Sequence, residues 1–159
     1  MAESKRPTSR SPEVIEIAAE KLAPEVAKWC NEPVNDEIRE GLVSALRYGT
    51  DGYKLARELE DKWYISPDAE LVEILEGASS IVWDAERQAV AEWVKTNGIA
   101  ADLPIETLVE TPHGTGVIRD KSEEQATYTV CIPEHAERST GYIGTIYPVE
   151  KCKVVEVAQ

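Results

Sequence analysis

The sequence predicts an α+β protein, an N-terminal helical bundle followed by a small C-terminal β-barrel of five strands. Three observations predict it. Up to Gly98 apolar residues recur at every third or fourth position, and beyond it they alternate with polar ones. At the same point the punctuation changes from cap, proline and acid to proline and glycine. Charge changes there too: of the net −13, residues 11–97 carry −10, residues 98–159 carry −5, and residues 1–10 carry +2.

A chain of 159 residues suits two small domains. The expected division is a disordered arm over 1–10 (MAESKRPTSR), a helical domain over 11–98 and a β-barrel domain over 103–159.

Ser11-Pro12-Glu13 starts the first helix, with a hydroxyl to cap free amides, a proline at the first helical position and an acid at the positive end of the dipole. Val14, Ile17, Ala18 and Leu22 follow at helical spacing, and Val26 and Trp29 prolong the stripe past Pro24, which is expected to kink or restart the helix. Asn35 with Asp36 and Glu37 opens a second helix on Ile38, Leu42, Val43 and Leu46, closed by Gly49. Asp51 caps a third that carries Tyr53, Leu55, Ala56 and Leu59 as far as Trp63.

The strongest local signal is Ser66-Pro67-Asp68-Ala69-Glu70, which opens a helix of about 30 residues ending at Asn97-Gly98. Its stripe runs from Leu71 and Leu75 through Ala78, Val82 and Ala89 to Trp93. At about 1.5 Å per residue it spans roughly 45 Å, more than a small domain needs. Gly77-Ala78-Ser79-Ser80 is therefore a candidate bend.

Five strands are predicted next: Leu108–Glu110, Gly116–Arg119, Thr127–Ile132, Tyr142–Tyr147 and Cys152–Val157. The turn after the first is Pro112-His113-Gly114-Thr115-Gly116, a hairpin in which glycine supplies positive φ. So many strands within about 50 residues bury a core by curling. The stretch LPIETLVETPHGTGVIRD, with TYTVCI and YPVEKCKVV after it, resembles the SH3-like barrels of KOW and Tudor domains. Its first strand ends in a glycine-rich turn and its second begins Gly-Val-Ile. The resemblance covers the last third of the chain and implies a fold rather than an activity. The helical part, with its DAELVEIL and AVAEWVKTNGI stretches, is similar in style to small uncharacterised proteins of phages and prophages.

Reactive chemistry finds little footing. Cys30, Cys131 and Cys152 are an odd number without CxxC spacing, and no apolar leader precedes them, so a reducing, cytoplasmic setting is expected. No stretch has the length of a membrane span. His113 with Cys131 and Cys152 lacks the close ligand pairs of a structural zinc site, and small core residues are the plainer reading of both cysteines. No Lys-Ser/Thr follows His113-Gly114-Thr115-Gly116, as a phosphate loop requires. Gly77-Ala78-Ser79-Ser80 lacks the second glycine of a nucleophile elbow. Neighbouring carboxylates such as Glu70 with Glu73 are what so acidic a chain produces on a solvated face.

Expectation therefore settles on a non-enzymatic protein with no catalytic residue, metal or cofactor. The expected partner is a protein with a basic surface, engaged through Glu16, Glu20, Glu40, Glu58, Glu73 and Asp84, with Tyr147 on the barrel. The sharpest form is a phage-encoded, anti-CRISPR-like inhibitor that mimics DNA against a nucleic-acid-handling defence complex. Solubility alone is the plain alternative for the acidic face. Two rivals stand beside it. One is a regulator whose barrel touches nucleic acid through Arg119, Lys121, Lys151 and Lys153, disfavoured by the acid excess. The other is an oligomeric adaptor pairing through Leu71, Leu75, Val82 and Trp93 of the long helix. Among the barrel tyrosines, alternation points to Tyr128 and Tyr142 as the buried pair.

Overall fold

The computed structural model describes residues 5–63, 65–137 and 141–155. Helices come first and strands last, in two units, Met1–Trp93 and Val94–Gln159. Within the arm expected over 1–10, residues 1–4 lie outside the described residues. Further along, Pro7 is buried and the Arg6 guanidinium lies over the Trp93 ring at 5.0 Å.

Helix α1 (Pro12–Cys30) starts where the sequence predicts. The Ser11 hydroxyl, however, does not cap the helix; it accepts from the Thr8 amide at 2.8 Å and holds the incoming chain. Pro24 does not divide α1, because Ala23, Val26 and Ala27 around it are all buried and packing holds the helix together there. Asn31, in the left-handed conformation at φ 58°, ends it.

Helix α2 (Asp36–Leu46) is capped by Asn35, whose side chain accepts from the Ile38 amide at 2.9 Å. It stops three residues short of Gly49. Asp51 caps α3 (Gly52–Trp63) through the Lys54 amide. Tyr53 points out of that helix at 62% exposure.

The long fourth helix is two. Helix α4 (Ala69–Glu76) is capped by Asp68 rather than Ser66, and α5 (Ala78–Asn97) follows after Gly77. Leu71, Leu75, Ala78, Val82 and Ala85 are buried across the break. The apolar period therefore runs on while the backbone ladder tightens to a Gly77 amide bond on the Ile74 carbonyl. At Gly52, an added Cβ would sit 2.7 Å from the Glu76 amide nitrogen and 2.8 Å from the Val72 carbonyl oxygen. Only glycine lets α3 begin that close to the last turn of α4. Buried Leu22, Leu42, Leu59, Leu71 and Leu75 hold this unit, each contributing about 1.5–3 kcal/mol by leaving water.

The second unit is an antiparallel sheet in the order β4-β3-β2-β1-β5, with β1 (Leu108–Thr111), β2 (Gly114–Ser122), β3 (Thr127–Cys131), β4 (Thr145–Pro148) and β5 (Lys153–Val154). Among the described residues β4 and β5 are edges, so the sheet is open rather than closed into the barrel the sequence predicts. Its ladder is irregular between Ile118 and Asp120 of β2. A single turn of helix, α6 (Pro133–Ala136), follows β3, and a 3-10 turn (Val149–Lys151) separates the last two strands. The predicted fourth strand is shorter at its start, and residues 156–157 of the predicted fifth lie outside the described residues.

The buried tyrosine pair is Tyr128 with Tyr147, not Tyr128 with Tyr142. Tyr128 and Tyr147 face each other across β3 and β4 and therefore share the core face, whereas Tyr142 precedes the strand and is half-buried. They pack with Val109, Ile118, Val130 and Ile132. Cys131 and Cys152 are half-buried rather than core.

Candidate functional site

The six acids expected to engage a partner are all exposed, and they sit on five helices: Glu16 and Glu20 on α1, Glu40 on α2, Glu58 on α3, Glu73 on α4 and Asp84 on α5. Three of them converge. Glu16, Glu20 and Glu40 line one open groove of about 850 Å³. Its α1 side carries Glu13, Glu16 and Glu20 at helical spacing around the half-buried Ile17. Its α2 side offers Val43 with Arg39, Glu40 and Arg47, and Lys21 and Lys62 also border it.

One ion pair joins the two helices. Arg39 Nε lies 2.8 Å from Glu20 Oε1, while Arg39 Nη1 donates to Asp36 Oδ1 at 3.1 Å. The Arg39 side chain is 39% exposed, which limits such a pair to about 0–1 kcal/mol. Glu20 therefore already has a cation at hand, while Glu16 faces solvent without an ion pair among those found in the described residues.

The remaining acids are scattered. Glu58 borders a different hollow, with Lys54 and the widely exposed Tyr48. Glu73 and Asp84 line neither. Tyr147, expected on the binding surface, is 5% exposed and packs in the core of the second unit, its hydroxyl 3.0 Å from His113 Nδ1.

Periodicity marked Ile17 and Val43 as core, because a floor that is half covered has the same spacing as one fully covered. Arg39 of α2 and Arg47, just past its end, gave a detectable signal as cations four residues to either side of Val43.

His135 meets Tyr142 edge to face at 5.9 Å, and no group of three or more His, Cys, Asp or Glu among the described residues could hold a metal. Burial, helped by the charge of Glu32, raises the Cys30 thiol above its ordinary pKa. Burial and Glu150 do the same at Cys152. Both sulfurs are thus held as thiols, the poorly nucleophilic form, near neutral pH.

Of the four residues expected to pair copies through the long helix, Leu71 and Leu75 are fully buried, Val82 is 5% exposed and Trp93 is half-buried. No helix among the described residues is long and apolar enough to cross a membrane. Compared with known proteins, the chain matches no family model, no curated sequence and no solved structure.

Proposed function

We propose that the protein works by docking: its acidic helical unit binds a partner protein that presents a basic surface. The observation that carries this reading is the acid excess of the helical segment, nineteen Asp and Glu against nine Lys and Arg over residues 11–97, beside a groove where Glu13, Glu16, Glu20 and Glu40 stand among Lys21, Arg39, Arg47 and Lys62 over an apolar floor at Ile17 and Val43. Apolar contact gives such a surface affinity, and the carboxylates give orientation and encounter rate. In its specific form the partner is a nucleic-acid-handling defence complex and the helix carboxylates stand in for phosphates, as in an anti-CRISPR inhibitor. The net −10 of residues 11–97 supports that form.

The second unit is read as an SH3-like fold. Support comes from the strand order, in which the first and last strands are neighbours, and from the register shift between Ile118 and Asp120 of β2, the kind of irregularity that bends a strand. Direct binding of nucleic acid through it is the weaker reading. Arg119 Nη1 donates to Glu106 Oε1 at 2.6 Å, Lys121 Nζ donates to the Ala101 carbonyl at 3.2 Å, and Lys153 lies opposite Glu110.

Titration against basic nucleic-acid-handling complexes at about 0.1 M salt tests the proposal. Binding that is lost in the E16K/E20K/E40K variant supports it. A gel shift with the protein alone that weakens steeply with salt would replace it with the nucleic-acid reading.

A further inference from the structure

At the end of α1, away from the groove, lies a hollow of about 370 Å³ lined by Trp29, Trp63, Ile38, Ile65, Glu32 and Glu37, with Cys30 beside them. Two indoles, two isoleucines and two carboxylates are an unusual set. The groove is bordered by four cationic side chains, whereas this hollow has none among its lining residues.

Both indoles are fixed. Trp29 Nε1 donates to Asp68 Oδ1 at 2.9 Å, which ties the ring to the start of α4. Trp63 lies so close to α2 that a Cβ at Gly41 would overlap its six-membered ring. The Trp63 Nε1 is buried with no hydrogen-bond partner among the described residues, so packing against Gly41 is what seats it. Glu37 comes from the first turn of α2, and Glu32 from the turn that Asn31 makes in the left-handed conformation. Glu32 and Cys30 line the hollow together.

We propose that this hollow is an anchor pocket for one arginine side chain of the basic partner. An arginine stem is apolar enough for Ile38 and Ile65, its planar guanidinium stacks on indole, and its fork of donors can serve two carboxylates at once. Lysine, a strongly hydrated point charge without a plane to stack, fits the same walls less well. Interfaces concentrate their affinity in a few such pre-formed pockets, with arginine among the residues that fill them. The proposal rests on the docking reading for the identity of the partner, and not for the chemistry of the pocket.

The test uses the full chain and needs no partner. The protein, labelled with ¹⁵N, is titrated with N-acetyl-arginine methylamide, with its citrulline counterpart and with the lysine analogue, following the indole N–H resonances. The arginine probe is expected to shift Trp29 and Trp63 saturably while Trp83 and Trp93 stay in place, and citrulline to shift none. E32Q/E37Q is expected to weaken the arginine probe about tenfold. Should that pair perturb α2, E32Q alone, which lies outside any helix, carries the same comparison. Equal binding of citrulline, uniform shifts at all four indoles or an unchanged E32Q titration overturns the pocket. Lysine binding as tightly as arginine overturns the choice of side chain. Failure of the docking proposal would appear as unaltered partner binding in E16K/E20K/E40K, which leaves this titration untouched.

Discussion

Trp29 Nε1 and the Leu71 amide share one acceptor, Oδ1 of Asp68, each at 2.9 Å. A helix cap thereby also joins the last turn of α1 to the first turn of α4.

This shared oxygen makes a prediction about pH. The Asp68 carboxyl is held below its ordinary value of 3.8, first by the Leu71 amide and then by Trp29. Because the folded pKa is depressed, the stabilisation is complete above the ordinary value and fades as pH falls through the lower folded one. Asp68→Ala is expected to unfold at lower urea concentration than the parent at pH 7, with the gap narrowing toward pH 3. A gap independent of pH would mean that the ionised form has no special role.

Gly41→Ala is expected to lose about 1–3 kcal/mol, since Trp63 must leave its seat on α2 for the new methyl to fit. Urea unfolding gives the loss, and near-ultraviolet circular dichroism should report the displaced indole.

Tyr147 separates a core role from a docking role. Tyr147→Phe removes the hydroxyl that meets His113 and is expected to cost about 0.5–1.5 kcal/mol. Tyr147→Ala leaves a cavity beside Tyr128 and is expected to cost about 3–5 kcal/mol. A docking tyrosine would instead weaken partner binding with little change in stability.

Glu16→Lys and Glu40→Lys should leave stability within about 0.5 kcal/mol of the parent, because both are exposed. Their effect belongs in the association rate with a basic partner, strongest at low salt.

Alkylation tests the thiols. With their pKa values raised by burial and by neighbouring Glu32 and Glu150, Cys30 and Cys152 should react with iodoacetamide at pH 8 more slowly than a free cysteine derivative. Peptide mapping after timed quenching measures each site, and a rate equal to the free thiol would refute the shift.

Much of the fold was legible because caps and periods are local. Asn35 and Asp51 cap as their spacing announces, and the switch from helix to strand follows Gly98. The break at Gly77 was visible only as a candidate, since a stripe of buried residues continues through it and periodicity cannot register a single tightened hydrogen bond. Tyr147 rather than Tyr142 is buried because burial there follows cross-strand register with Tyr128, a non-local relation. The candidate site was legible in its acids and not in its shape. Glu16, Glu20 and Glu40 are ordinary surface residues in sequence, and only the packing of α1 on α2 brings them together with Arg39.

The open sheet has one more implication. Closure would have removed its unpaired margins; brevity limits them instead. Among the described residues β4 offers four residues, one of them Pro148 with no amide hydrogen to give, and β5 offers two, beginning with Lys153. Along these described stretches a strand arriving from another molecule would find few free backbone groups in line to grow upon, which makes them poor templates for edge-to-edge pairing.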